Sequence, residues 1–443
     1  IFRLRNSVFC RTVGVSFPLY VHIPFCTSKC SYCDFFSVPC AKKIDDEYID
    51  AVLNEAACTA SLRDIDSWKT IYVGGGTPSL LSEKQIDFLF SGLLKMSRKV
   101  PLEVTMEANP SDVTESFLDA ASASGVTRIS CGIQSFSDAS LCRVRRRSRA
   151  SDVYRALSLF EKKRPHALSV DMIARLPEET DASFASGLKT LLSYAPDHIS
   201  LYSLTVEEGT PLCSEIESGK ILHDIDASDA LWISGRDFLC GAGYEQYEVS
   251  NFCRRGCECL HNLAYWNLES YAGIGAGATG TFYRKDVSAR FTNTRDIDSY
   301  TRFWNGEKID ADDLHSRIFF SNDFRTAHLR AEREHRDEKR TTQGDAVQAY
   351  TERRFGELPF SVEYIDKKTE AFEFFMMGLR MTRGICRETY EARFGAFPEK
   401  AEALFTAWEG RGLALRREKN GRRFYALTKE GLLFLNEFLE ALL

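Results

Sequence analysis

The chain has 443 residues, 44% of them hydrophobic, and a formal net charge of −6. That length allows a large catalytic domain plus an appendage, and the acidic balance gives no reason to expect nucleic-acid binding. Fourteen cysteines spread along the chain, no apolar run of membrane-spanning length, and a first segment (Ile1-Phe-Arg-Leu-Arg5) too polar for a signal peptide predict a reducing, cytoplasmic setting.

Over the first 245 residues two periods alternate. Apolar or β-branched runs at 19–23, 70–73, 102–106, 128–133, 167–173 and 198–206 each predict a strand. The first leads into Cys26-Thr-Ser-Lys-Cys30-Ser-Tyr-Cys33. This C-x3-C-x2-C spacing can gather three thiolates around one short loop. A [4Fe–4S] cluster normally takes four cysteines, so three would leave one iron open to a ligand. Structural zinc instead uses two ligand pairs across a spacer, and no matching pair stands at that distance.

Helical stripes follow the strands: Tyr48, Ile49, Val52, Leu53 and Ala56, then Ile86, Leu89, Phe90, Leu93 and Leu94. Val153, Leu157 and Phe160 follow a predicted Ser151 cap. Phe184, Leu188, Leu191 and Leu192 follow a predicted Asp181 cap. A sixth helix runs from about Ala227 to Leu239 and stops at Gly241 and Gly243. Six strand–helix repeats imply an α/β fold with a parallel sheet and helices outside it. Six fall short of the eight that close a barrel, so a partial (β/α)6 barrel is expected, with its site at the C-terminal strand ends.

The residues of chemical interest fall on that rim. Cys26–Cys33 follow strand one, Gly74-Gly75-Gly76-Thr77 strand two, and Glu107 ends strand three. Gln134 ends strand four, Asp171 lies in strand five and Tyr202 in strand six. Glycines at 74–76 allow close backbone approach, and their amides with Thr77 could hold a carboxylate or amine. Glu107 suits ribose hydroxyls, or equally a salt bridge. Gln134 and Asp171 are costly inside a barrel unless paired. Arg146, within Arg143-Val-Arg-Arg-Arg147, suits a carboxylate or a solvated face.

Beyond residue 245 the character changes. Residues 246–310 form an aromatic, glycine-rich connecting segment with Cys253, Cys257, Cys259 and His261. Residues 311–360 read as a charged, exposed insertion. Residues 361–443 predict three helices, then strands at 413–417 and 423–427 around Asn420-Gly421, then a last helix: a winged-helix-like domain. Its presumed wing carries Arg416, Arg417, Lys419, Arg422 and Arg423. Over Asp366–Leu443, 14 Lys/Arg against 12 Asp/Glu favour a solvated hairpin over a nucleic-acid surface.

Taken together, these motifs resemble the radical S-adenosylmethionine (SAM) proteins, in the branch of oxygen-independent coproporphyrinogen III oxidase and the HemW-type heme chaperones. The likeness implies that Cys26, Cys30 and Cys33 hold a [4Fe–4S] cluster whose fourth iron SAM chelates. It places Tyr20, Tyr32, Gly75, Gly76, Thr77, Glu107, Gln134, Arg146 and Asp171 on SAM-contact positions. In such proteins an electron from the cluster cleaves SAM to a 5′-deoxyadenosyl radical. Two features separate the readings. Phe35 stands where the oxidases usually carry a fourth cysteine, and His261-Asn-Leu-Ala-Tyr265-Trp266 matches the chaperones' H-N-x-x-Y-W. The leading expectation is a heme chaperone that binds the cluster, SAM and heme, with His261 as heme ligand or else a hydrogen-bonded core histidine. The alternative is oxygen-independent decarboxylation of coproporphyrinogen III propionates. The resemblance further implies a heme-accepting client protein, a reductant such as a flavodoxin or ferredoxin, and room for a homodimer. Departures are Arg175-Leu-Pro-Glu-Glu-Thr for G-L-P-x-Q-T, and Thr279 where the family commonly has histidine.

Overall fold

Strict alternation along six strands organises the molecule. A computed structural model describes residues 15–40, 43–285, 287–306 and 359–443, so most of the charged insertion lies outside the described residues. The strands are β1 (Val15–Ile23), a short pair β2 (Phe25–Cys26) and β3 (Val38–Pro39), then β4 (Ile65–Gly75), β5 (Glu103–Ala108), β6 (Arg128–Gln134), β7 (Ala167–Ala174) and β8 (His198–Ser203). On β4 to β8 one face carries Ile71, Val73, Val104, Met106, Ile129, Ile133, Leu168, Val170, Ile199 and Leu201, all in one buried core under the helices. The other face carries Tyr72, Thr105, Glu107, Ser130, Ser169, Asp171 and Ser200, which line a cavity. Successive side chains on a strand point to opposite faces, so one register serves both surfaces.

β1, β4, β5, β6, β7 and β8 lie side by side in that order, all parallel, as the six repeats require. The sheet has nine strands rather than six. β9 (Glu245–Gln246) and β10 (Asn251–Cys253) extend it antiparallel beyond β8, and β11 (Ala272–Ile274) lies parallel to β1. An open sheet leaves unpaired backbone groups at each edge, and these short strands satisfy them.

The outer helices form where the stripes place them, and their starts differ in detail. Helix Asp181–Ser193 is capped by Thr180, whose hydroxyl accepts the Ser183 amide, rather than by Asp181. Helix Ala150–Lys162 takes Arg149 at its cap position, with Asp152 accepting the Arg149 amide, rather than Ser151. Polar residues cluster around both starts, and only the chain's local direction selects which one caps. Ile86, Leu89, Phe90 and Leu93 of helix Glu83–Lys95 are fully buried, each worth about 1.5–3 kcal/mol of transfer free energy.

A three-stranded antiparallel sheet of β12 (Thr279–Phe282), β13 (Ser288–Asn293) and β14 (Phe360–Ile365) leads to the C-terminal unit. There, helices Lys367–Gly378, Arg387–Phe394 and Glu399–Gly410 pack with β15 (Ile385–Cys386), β16 (Ala414–Lys419) and β17 (Arg422–Leu427). Asn420 (φ 53°) and Gly421 (φ 71°) make the two-residue turn between β16 and β17, both left-handed as that hairpin demands. Rings fill this core: Phe405 lies 4.7 Å and Trp408 4.9 Å from Phe438. Arg416 pairs with Glu402 and Glu409, and Arg423 with Glu388, so two of the five wing cations are already engaged.

Candidate functional site

A cavity of about 400 Å³ occupies the barrel interior, open at the C-terminal strand ends. The cysteine loop forms one wall. It is pinned by Ser31 N to Val144 O (3.0 Å), Leu212 N to Ser31 O (2.9 Å) and Cys40 N to Cys26 O (2.7 Å). Cys26, Cys30 and Cys33 all line the cavity, Cys30 buried and the other two partly so. Arg146 donates Nη1 to Cys30 Sγ (3.5 Å) and Nη2 to Gly132 O (2.6 Å). Burial opposes the Arg146 charge, yet Tyr32 and Cys30 hold it firmly protonated. Burial pushes the Cys33 thiol up, the Phe35 backbone pulls it down, and Cys30 and Cys26 push it up again.

Thiolates set this close repel one another unless a cation absorbs their charge. Among the described residues, no three His, Cys, Asp or Glu side chains gather as ligands of a single metal ion do. Sulfurs on three corners of a cubane stand farther apart than that. Three thiols on one wall of an open chamber, with an arginine beside them, fit a [4Fe–4S] cluster.

Tyr32 within the loop, Arg146 and Thr77 beside it, and Gly75, Gly76, Glu107, Gln134 and Asp171 all line the same cavity. Tyr72 OH (2.9 Å) and Gly75 N (3.1 Å) hold the two oxygens of Glu107. Burial raises that carboxyl to about 7, against the pull of Tyr72. Burial likewise raises Asp171 to about 6, with Ser200 and Ser130 hydroxyls and Arg146 drawing it back. Gln134 has φ 68° beside an irregularity in the β6–β7 register, so the backbone bends to bring it to the rim.

The glycine triplet has a reason other than the expected one. A Cβ at Gly74 would lie 2.9 Å from the Glu107 carboxyl, at Gly75 2.4 Å from the His22 ring, and at Gly76 2.7 Å from Phe25 O. The Gly75 and Gly76 amides are bonded to Glu107 and Ile23 O. Packing of the protein against itself requires these glycines, and their amides do not face the cavity unbonded.

Two of the sequence candidates are not at the cavity. Tyr20 shares the inner face with its register partner Tyr72 but does not line the cavity, its hydroxyl lying 2.8 Å from His22 Nδ1 and its ring stacked on Tyr72. His261 is 1% exposed. Its Nδ1 meets Thr70 Oγ1 at 2.8 Å, its Nε2 meets Tyr265 OH at 2.9 Å, and its backbone N donates to Glu103. Both ring nitrogens are engaged, the arrangement of a hydrogen-bonded core histidine. Thr279 sits on β12, paired with Thr292.

Sequence reasoning missed the inner face itself: Tyr72, Thr105, Arg128, Ser130, Ser169, His198 and Ser200, together with Cys259 and Asn262. The signal was the polar residue at every second position of runs such as Glu103-Val-Thr-Met-Glu107 and His198-Ile-Ser-Leu-Tyr202. The departure at 175–180 also has a physical account. Arg175 (φ 68°) takes a backbone conformation that glycine adopts freely, and its guanidinium meets Asp181 at 3.0 Å. Glu179, in place of glutamine, accepts from Ser135 (2.7 Å) and the Arg175 amide (3.0 Å), with burial raising its carboxyl to about 7.

A parallel barrel with a three-cysteine loop beside a polar chamber defines a radical SAM protein. Residues 20–191 match the Radical SAM superfamily, and residues 365–434 match the HemN C-terminal domain. Heme chaperone HemW of Escherichia coli (strain K12) is 37% identical over 265 residues, which cover 59% of this chain and 69% of that protein. Heme chaperone HemW of Lactococcus lactis is 36% identical, over 59% and 68%. The chain belongs to the HemW family of radical SAM proteins. It spans 60% of the length of a mouse relative, radical S-adenosyl methionine domain-containing protein 1, mitochondrial, at 36% identity. The coproporphyrinogen III oxidase (HemN) structure from Escherichia coli shares the fold, with a TM-score of 0.71 over 98% of this chain and 91% of that one at 17% identity. No helix among the described residues is long and apolar enough to cross a membrane.

Proposed function

We propose that the protein is a cytoplasmic heme chaperone of the radical SAM type, binding one [4Fe–4S] cluster, SAM and heme and passing heme to an acceptor hemoprotein. The observation that carries the reading is one chamber lined by three thiols, with Arg146 beside them, and by the buried carboxyls Glu107 and Asp171, in a chain whose curated relatives are named heme chaperones. Cys26, Cys30 and Cys33 would hold the cluster. When bound, that cluster offers its fourth corner to SAM and supplies the electron of radical SAM chemistry.

The chain's own residues divide the remaining work. Arg146 places a fixed positive charge beside Cys30 and the rim, suited to a carboxylate. Glu107, close to half protonated near neutral pH, and Asp171, mostly ionised there, offer acceptors for hydroxyls or an amine. Tyr32, Gly75, Gly76, Thr77 and Gln134 complete the contact surface. The client protein, a flavodoxin- or ferredoxin-type reductant, a homodimer, and the division at residues 245, 310 and 360 belong to the same proposal.

The oxidase reading keeps the fold but has Phe35, 65% exposed, where a fourth cysteine would stand. Anaerobically reconstituted protein offered heme and coproporphyrinogen III separates the two. The chaperone binds heme stoichiometrically, yields it to an apo-hemoprotein and makes no protoporphyrinogen. Turnover of coproporphyrinogen with SAM and reductant would overturn the proposal.

A further inference from the structure

The floor of the barrel cavity holds hydrogen-bonding capacity that the cluster and SAM positions do not use. Tyr72, Thr105 and Arg128 are register partners on β4, β5 and β6, side by side on the inner face. They lie one inward step, about 6.6 Å along a strand, below Glu107 and Ser130. Arg128 is 5% exposed. Its Nε donates to Glu103 (3.0 Å) and its Nη2 to the Cys257 and Glu258 carbonyls (3.1 and 3.0 Å), while Nη1 has no partner. Thr105 is 0% exposed, and its hydroxyl is also unpartnered.

Neighbouring groups are already engaged. Ser169 Oγ holds His198 Nδ1 (2.7 Å), His198 Nε2 holds Tyr247 OH (2.9 Å), and Cys259 Sγ donates to Glu103 (3.3 Å). The unused capacity is therefore two guanidinium N–H bonds and one hydroxyl, adjacent and facing one space. Each such buried group is costly when unmatched, and native interiors rarely leave two together.

We propose that the barrel floor is a subsite for an acceptor oxygen, carbonyl or carboxylate, of a small ligand or ligand arm bound below the SAM positions. Two guanidinium N–H bonds that can only donate, beside a hydroxyl that can turn to donate with them, select an acceptor. Glu103 balances the Arg128 charge, so the floor does not require a full negative charge on its ligand. Cys259 and Asn262 line the same chamber.

The test titrates anaerobically reconstituted, SAM-free protein with [13C]acetate and, separately, [13C]acetamide, followed by NMR. Saturable binding of either probe is expected, and which one binds identifies carboxylate or carbonyl. Thr105→Val should weaken that binding at least tenfold, and Thr105→Ser should restore it. Valine removes a hydroxyl that no protein group uses, so the variant should fold and melt no lower than the parent. Non-saturable signals for both probes, equal affinity in the valine variant, or a lower melting temperature with only ordered water at the floor would each overturn the subsite.

Discussion

The barrel and the C-terminal domain each place a sheet against helices, but they treat the second surface in opposite ways. In the barrel, β4 to β8 put apolar side chains under the helices and hydroxyls, carboxylates and an arginine into the chamber. In the C-terminal domain the space beside the hairpin is filled by Phe374, Phe375, Tyr390, Phe397, Phe405, Trp408, Tyr425 and Phe438. Rings that pack edge to face complete their own environment. Buried acids with raised pKa values and unpartnered donors do not, and their solvation is left for a ligand to supply.

The sharpest way to break this comparison is to remove a thiol. Cys26→Ala, Cys30→Ala or Cys33→Ala should each abolish the cluster, read as loss of iron, acid-labile sulfide and the paramagnetic signal after reduction, while the far-UV circular dichroism of the barrel stays unchanged. Retention of full iron content would remove the cysteine wall as the cluster site. The mirror experiment is Phe438→Ala in the C-terminal core, where a fully buried ring meets Phe405 and Trp408. It should cost about 3–5 kcal/mol in denaturant unfolding and leave iron content per folded chain intact.

A third measurement uses the raised acids. The Glu107 carboxyl moves from an ordinary 4.5 to about 7 because burial penalises its charge. A raised carboxyl pKa means the folded state holds a proton the unfolded chain has released. Its contribution is complete below about pH 4.5 and is lost as pH climbs to about 7, on the order of 3 kcal/mol. Ligand-free protein should therefore lose stability across that window, and Glu107→Gln should flatten the profile in thermal melts. An unchanged slope would mean that Glu107 is ionised throughout.

His261→Gln should lower stability by about 1–3 kcal/mol through the lost Thr70 and Tyr265 bonds, and leave the heme absorption spectrum where it was. A displaced Soret band would make His261 a ligand after all. The smallest effect belongs to the wing. Gly421→Ala, at φ 71°, should cost about 1 kcal/mol and touch neither cluster nor SAM affinity.

Much of this protein was legible in order along the chain. Strand and helix periods, the three-cysteine spacing and the Asn420-Gly421 turn are local codes, because a side chain's face, a loop's reach and a turn's φ angles depend on neighbours a few residues away. What the tertiary structure decided is who meets whom. Gly75 looked like bare backbone for a ligand and is instead held by His22 and Glu107. His261 read equally as a heme ligand or a core histidine, and the partner its ring meets, Thr70, stands 191 residues earlier in the chain. Burial and hydrogen-bond partnership are set by contacts between distant segments, so a polar residue's type announces its chemistry while only the fold determines whether that chemistry is free to act.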